Sequence, residues 1–134
     1  MRKVHVQPPS FPAVATDQLL QVKPGLRWQV MCGDAGHWRV GVYSPPETGA
    51  DQCGELERHD CPEYFHLLSG RLTLVLHEAA GVRELALEPG HPVLVTVPHS
   101  GFCPDGPHSG AALVVERDSL STEYRTPKEW REAT

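Results

Sequence analysis

Through the middle of the chain, apolar residues recur at every second position. That is the period of a half-buried β-strand and not of a helix. Residues Arg71–His77 show it most clearly, with Leu72, Leu74 and Leu76 on one face and Thr73 and Val75 on the other. Arg27–Met31, Trp38–Tyr43, Tyr64–Leu68, Val82–Leu87 and Ala111–Glu116 read as further strands. Val93–Val97 is apolar and rich in β-branched residues, as a buried strand should be. Turn chemistry separates these runs: Pro24-Gly25, the loop Gly33–Gly36, a hairpin at Ser69-Gly70, then Ala80-Gly81, Pro89-Gly90 and Asp105-Gly106. Pro8, Pro9 and Pro12 keep residues 1–12 extended, and Thr16–Gln21 reads as a short helical turn capped by Thr16. The one strong helix signal is C-terminal. Thr126 is an N-cap, Pro127 takes the first helical position, and Glu129 completes a capping box ahead of Trp130.

This rhythm predicts an all-β protein, a sandwich or barrel, with a short C-terminal helix. The chain has 134 residues, enough for one core and too few for two comfortable ones. The expected organisation is a single domain: an irregular segment at 1–26, a barrel at 27–116 and a tail with the helix at 117–134. Thirteen prolines and twelve glycines fit many short strands joined by tight turns.

Charge narrows the partners. Twelve Lys plus Arg against seventeen Asp plus Glu leave a net charge of −5, with no basic stripe, so nucleic acid is not an expected partner. No apolar run approaches the roughly 20 residues that cross a bilayer, and the first residues lack the apolar stretch of a signal peptide. The four cysteines, Cys32, Cys53, Cys61 and Cys103, form no CxxC pair. Spacing leaves disulfides open, but reduced thiols in a cytoplasmic protein are the preferred reading.

The chemistry concentrates in residues 54–70, GELERHDCPEYFHLLSG. Glu57 and His59 lie two apart on a strand and so project from one face. Asp60-Cys61-Pro62 reads as a turn, after which Glu63 opens the next strand with Phe65 and Leu67 on its own face. Three metal-ligating side chains thus converge from adjacent strands, with apolar residues behind them. Phe65 is expected to form one wall of the pocket. His66 and His77 should face away, and His5, His37 and His91 lie near turns or the terminus. No phosphate loop, nucleophile elbow or Ser–His–Asp spacing is present.

Residues 38–116 resemble the cupin superfamily, whose members are small jelly-roll β-barrels. Gly54, Glu57, His59, Glu63 and Gly70 match the spacing of the first cupin motif, with Glu57 where a histidine usually stands. Pro89-Gly90, the apolar strand after it and Pro98-His99 resemble a contracted second motif. His99 is preferred to His108 as its histidine, because it continues the inward alternation Val93, Val95, Val97. The resemblance implies an antiparallel jelly-roll β-barrel with His59, Glu63, His99 and Glu57 as metal ligands, and Glu57 as ligand or catalytic base. Two imidazoles and two carboxylates would suit a divalent transition metal: Zn, Ni, Mn or Fe. The expected activity is that of small cupins, isomerisation or epimerisation of a sugar or keto acid, or oxygenation of a small organic acid. The alternative is a small-molecule binder without metal. Similar one-domain cupins commonly pair, and open strand edges need cover, so a homodimer is expected.

Overall fold

The structure is a computed structural model; it describes residues 2, 15–18 and 21–133. The extended segment expected at 1–12 lies almost wholly outside those residues, as does part of the turn expected at 16–21. Within that turn, Gln18 N–H donates to Ala15 O at 2.9 Å.

Among the described residues, ten strands and one α-helix follow in order, with a single 3-10 turn at Ala50–Gln52: β1 (Trp28–Asp34), β2 (Trp38–Tyr43), β3 (Leu56–His59), β4 (Glu63–Ser69), β5 (Thr73–Glu78), β6 (Gly81–Ala86), β7 (Val93–Val95), β8 (His99–Phe102), β9 (Ala111–Glu116), β10 (Thr122–Arg125) and α1 (Pro127–Glu132). All pairings between them are antiparallel. They form two five-stranded sheets, one ordered β1-β2-β9-β4-β7 and the other β10-β3-β8-β5-β6. Among the described residues, hydrogen bonds do not join the two sheets into the closed barrel that the sequence led us to expect.

The core lies between the sheets. Phe65, Leu67, Ala112, Val114 and Val95 from the first sheet meet Leu74 and Leu76 from the second, together with Leu72, Leu87 and Cys103 from the connections. The strand residues among them are those whose phase points inward, and full burial of a Leu or Phe contributes roughly 1.5–3 kcal/mol. The end of this interior nearest Glu63 and Glu116 is not filled by apolar side chains, and it is there that the polar residues gather.

Three local expectations change. The Ser69-Gly70 turn does not close a hairpin, because β4 belongs to one sheet and β5 to the other. Gly70 (φ +62°) carries the chain across, so close to the Ser109 carbonyl that a Cβ would collide with it. The buried strand expected at 93–97 stops at Val95, with Leu94 65% exposed at a sheet edge. Pro98 then turns the chain, and His99 starts a separate strand in the other sheet. Finally, the tail expected after residue 116 contains β10, which pairs with β3.

The C-terminal helix forms where its capping box predicts. Thr126 Oγ1 accepts from Glu129 N–H at 3.2 Å, and the Glu129 carboxylate accepts from Thr126 N–H at 3.3 Å. The helix lays Trp130 over the outer face of the second sheet, against Cys53, Leu56, Val75 and Phe102. That small second core explains why Val75 is buried although it alternates with the inward leucines. All four cysteines are free. Among the described residues no helix is long and apolar enough to cross a membrane.

Candidate functional site

Strand phase brings the polar cluster together. On β3, Leu56 turns outward into the Trp130 core, so Glu57 and His59 turn inward. Glu63 is the first residue of β4 and His99 the first of β8. Glu57 and His99 are direct partners in the β3–β8 ladder. The four residues singled out in the sequence therefore line one cavity of about 240 Å³, with Phe65 beside them. That volume is equivalent to about eight liquid waters. It adjoins a second cleft that shares Arg27, Tyr43, Glu57, His99 and Tyr124. The Phe65 ring meets the His99 ring edge-on at 5.8 Å.

Three donors form the tight centre. Glu63 Oε1 lies 2.7 Å from His59 Nε2 and 3.0 Å from His99 Nε2. Glu57 Oε1 stands farther off, 3.8 and 3.7 Å from the same two nitrogens. Glu63 and His99 are each 4% exposed. Their proximity is not ordinary pairing, because Glu63 Oε1 and His99 Nε2 are buried without a partner in hydrogen-bond geometry. The two atoms stand at ion-pair distance but out of hydrogen-bond alignment, so each keeps bonding capacity that a further group between them would satisfy.

The far nitrogens of the two histidines are held. His99 Nδ1 donates to the Val97 carbonyl at 2.9 Å, which leaves Nε2 with its lone pair facing the cavity. His59 Nδ1 is 2.7 Å from Thr122 Oγ1 on β10. Such outer contacts fix ring orientation and tautomer. His108 instead places Nδ1 2.6 Å from Ser44 O and does not line the cavity. His66 packs its ring near Tyr64, and neither it nor His77 lines the cavity.

Electrostatics follow from this arrangement. Burial opposes ionisation of Glu63, but the two histidines outweigh it and hold the carboxyl down at about 2. Burial likewise opposes charge on His59 and His99, and Glu63 overrides it, so both imidazoles are raised above 6.5. Tyr43, on the cavity wall, is pushed far up by burial and so stays a neutral phenol.

Besides Tyr43 and Arg27 on the wall, three residues around the polar cluster escaped the sequence reading. Glu116, the last residue of β9, is 6% exposed and brings a carboxylate oxygen within 4.8 Å of donor atoms of His59 and Glu63. Burial, then the charge of Glu63, pushes its carboxyl up. Arg39 holds it, donating from Nε at 3.0 Å to Oε1, with Nη2 at ion-pair distance, 2.9 Å, from the same oxygen. Thr122 is the third. Their only advance signal was strand alternation, which cannot show which distant strands become neighbours.

No family model matches the chain, and no curated protein matches it in sequence. Solved structures do match in fold. Fe(II)-HppE with the alternative substrate (S)-1-HPP superposes with a TM-score of 0.58 at 17% identity, covering 81% of this chain and 65% of that one. Hydroxypropylphosphonic acid epoxidase from S. wedmorenis gives 0.58 at 17% identity, over 81% of this chain and 64% of that one. A cupin 2 domain-containing protein from Halorhodospira halophila gives 0.52 at 18% identity, over 75% of this chain and 70% of that one. The chain has a cupin fold. The chain spans a little under two thirds of the length of the epoxidase chain that it matches. Its inward-facing polar cluster is built from the residues that resemble the two cupin motifs, with Glu116, Arg39 and Thr122 added from strands outside them.

Proposed function

We propose that this cupin binds a divalent transition metal through His59 Nε2, His99 Nε2 and Glu63 Oε1 and acts on a small organic substrate in the adjoining cavity. The observation that carries the reading is the unpartnered pair of buried atoms, Glu63 Oε1 and His99 Nε2. A metal would satisfy both. Ligands about 2.1 Å from a metal and at right angles to one another stand about 3.0 Å apart. The separations of 2.7 and 3.0 Å around Glu63 Oε1 fit that arrangement. Zn, Ni, Mn and Fe all accept two imidazoles and a carboxylate. When bound, the metal would supply Lewis-acid or oxygen-activating chemistry at its open positions.

The protein's own residues do the rest. Phe65 walls the site. The neutral Tyr43 phenol offers a hydrogen-bond donor to a substrate oxygen. Glu57, outside the tight triad and with its side chain 31% exposed, is free to serve as fourth ligand or as general base. Two histidines with one carboxylate favour the oxygenase type of reaction. Glu57 as a base at the cavity is the feature that favours isomerisation or epimerisation instead.

The test is thermal melting against pH, with and without a chelator. In metal-free protein, the raised His59 and His99 contribute stability that is complete below pH 6.5 and lost as pH rises through their folded values. The lowered Glu63 contributes stability present above 4.5 and lost as pH falls toward about 2. A metal reverses the trend on the alkaline side, because it needs the imidazoles neutral. The chelator should therefore lower the melting temperature little near about pH 5 and strongly near about pH 8. No chelator effect at either pH would replace this reading with a metal-free small-molecule binder.

A further inference from the structure

We infer that Arg39 anchors the anionic end of the substrate, and that the substrate class is a short hydroxy or oxo acid. The inference rests on the metal reading above. The cavity wall carries three carboxylates, Glu57, Glu63 and Glu116, and two guanidinium groups, Arg27 and Arg39. Arg27 is itself neutralised by Glu47 of the adjoining cleft, so the four carboxylates and two guanidiniums leave two negative charges, which a divalent cation brings to zero. A loaded cavity so balanced does not repel an anion, and a guanidinium with donors to spare gives it a local positive pole.

The two arginines are not equivalent. Arg27 spends its fork on Glu47, with Nη1 at 3.0 Å from Oε2 and Nη2 at 2.5 Å from Oε1. Arg39 donates from Nε alone to Glu116 Oε1, with Nη2 2.9 Å from the same oxygen, and its Nη1 makes no hydrogen bond among the described residues. A guanidinium has five donors in a planar fork that matches a carboxylate, so Arg39 keeps donors for a ligand while still neutralising Glu116.

Its position is also fixed. Arg39 and Glu116 are direct partners in the β2–β9 ladder. The guanidinium lies 5.6 Å from the centre of the Trp28 ring. That indole lies against Gly41, two residues along the same face of β2, where any Cβ would collide with it. The cavity face of β2 thus reads Arg39, Gly41, Tyr43, with the indole seated in the gap that the glycine leaves. The Glu116 carboxylate that Arg39 holds has an oxygen within 4.8 Å of donor atoms of His59 and Glu63. A molecule with a hydroxyl or carbonyl oxygen at the metal donors and a carboxylate at Arg39 therefore needs only a short carbon chain.

The test uses the full chain loaded with Mn²⁺, titrated calorimetrically with lactate, with 3-hydroxybutyrate and with the uncharged 1,3-butanediol. Mn²⁺ uptake is measured first in every protein. The wild type should bind at least one of the acids and not the diol. Arg39→Met leaves Glu116 buried without its cation, so the double variant Arg39→Met/Glu116→Gln is made alongside it to preserve the fold. At Mn²⁺ concentrations that saturate each protein, both should bind the acid about tenfold or more weakly, the effect of losing a charged hydrogen bond. Mn²⁺ uptake with acid affinity unchanged in the double variant, no acid binding by the loaded wild type, or equal binding of the diol would overturn the role of Arg39 alone. A wild type that takes up no Mn²⁺ would overturn this inference together with the metal reading.

Discussion

His99→Ala should abolish metal binding, weakening affinity by more than about a hundredfold. The magnitude is set from below: loss of an outer contact to a ligating histidine typically costs about 10–100-fold, and loss of the donor itself costs more. His99 is buried at 4% exposure with its Nε2 already facing the cavity, and the nearby carboxylates of Glu57 and Glu116 offer no second nitrogen in its place. His59→Ala removes the other nitrogen and should behave alike. Thr122→Val keeps the shape of the side chain but takes away the hydroxyl at His59 Nδ1, and should fall in the intermediate range of about 10–100-fold. His66→Ala should change nothing, because that ring lies outside the cavity. Calorimetric titration with Zn²⁺ or Mn²⁺ checks the order. Equal affinity in wild type and His99→Ala would remove His99 from the site.

The largest effect on stability is expected at Trp130. The indole is 4% exposed, fills the small core over the outer face of the second sheet, and donates Nε1–H to the Leu56 carbonyl at 2.9 Å. Arg58 and Arg125 each approach its ring at 4.9 Å. Trp130→Ala opens a cavity and leaves that carbonyl unpaired, for a cost of about 3–5 kcal/mol. Trp130→Phe retains most of the packing and loses the hydrogen bond, so it should cost about 1–2 kcal/mol. Urea unfolding of the metal-free protein measures both without the contribution of a bound ligand. The effect should reach the site. Leu56 precedes Glu57 on β3, so loosening its outer contact loosens the strand that positions Glu57 and His59. A cost below about 0.5 kcal/mol for Trp130→Ala, the range of ordinary surface changes, would mean that the helix does not hold this strand.

How much of this was legible in the sequence depended on distance along the chain. Glu57 and His59 could be placed on one face because alternation over two residues is a local rule. The capping box at Thr126 and Glu129 is likewise local, and the helix starts there. His99 was recognised as an inward residue for a reason that does not hold. It was read as the end of a continuous strand from Val93, whereas Pro98 breaks that strand and His99 begins another in the opposite sheet. Ser69-Gly70 has the composition of a hairpin turn, yet the chain there crosses between sheets, and turn residues alone do not distinguish the two. β10 (TEYR) is too polar to announce itself; it is held by pairing with β3. Glu116 pairs with Arg39 from 77 positions away, and Thr122 meets His59 from 63. Such contacts are set by which strands become neighbours, and neither composition nor period encodes that.

The most direct test of the central claim is the metal content of the wild-type chain, purified without added metal or chelator and measured by elemental analysis. The structure predicts about one divalent transition metal per chain, the number that a single cluster of this size can hold. His59→Ala and His99→Ala, prepared in parallel, should carry essentially none. Folded wild-type protein that contains no such metal, and takes up none when offered Fe²⁺, Mn²⁺, Ni²⁺ and Zn²⁺ in turn, would contradict the account.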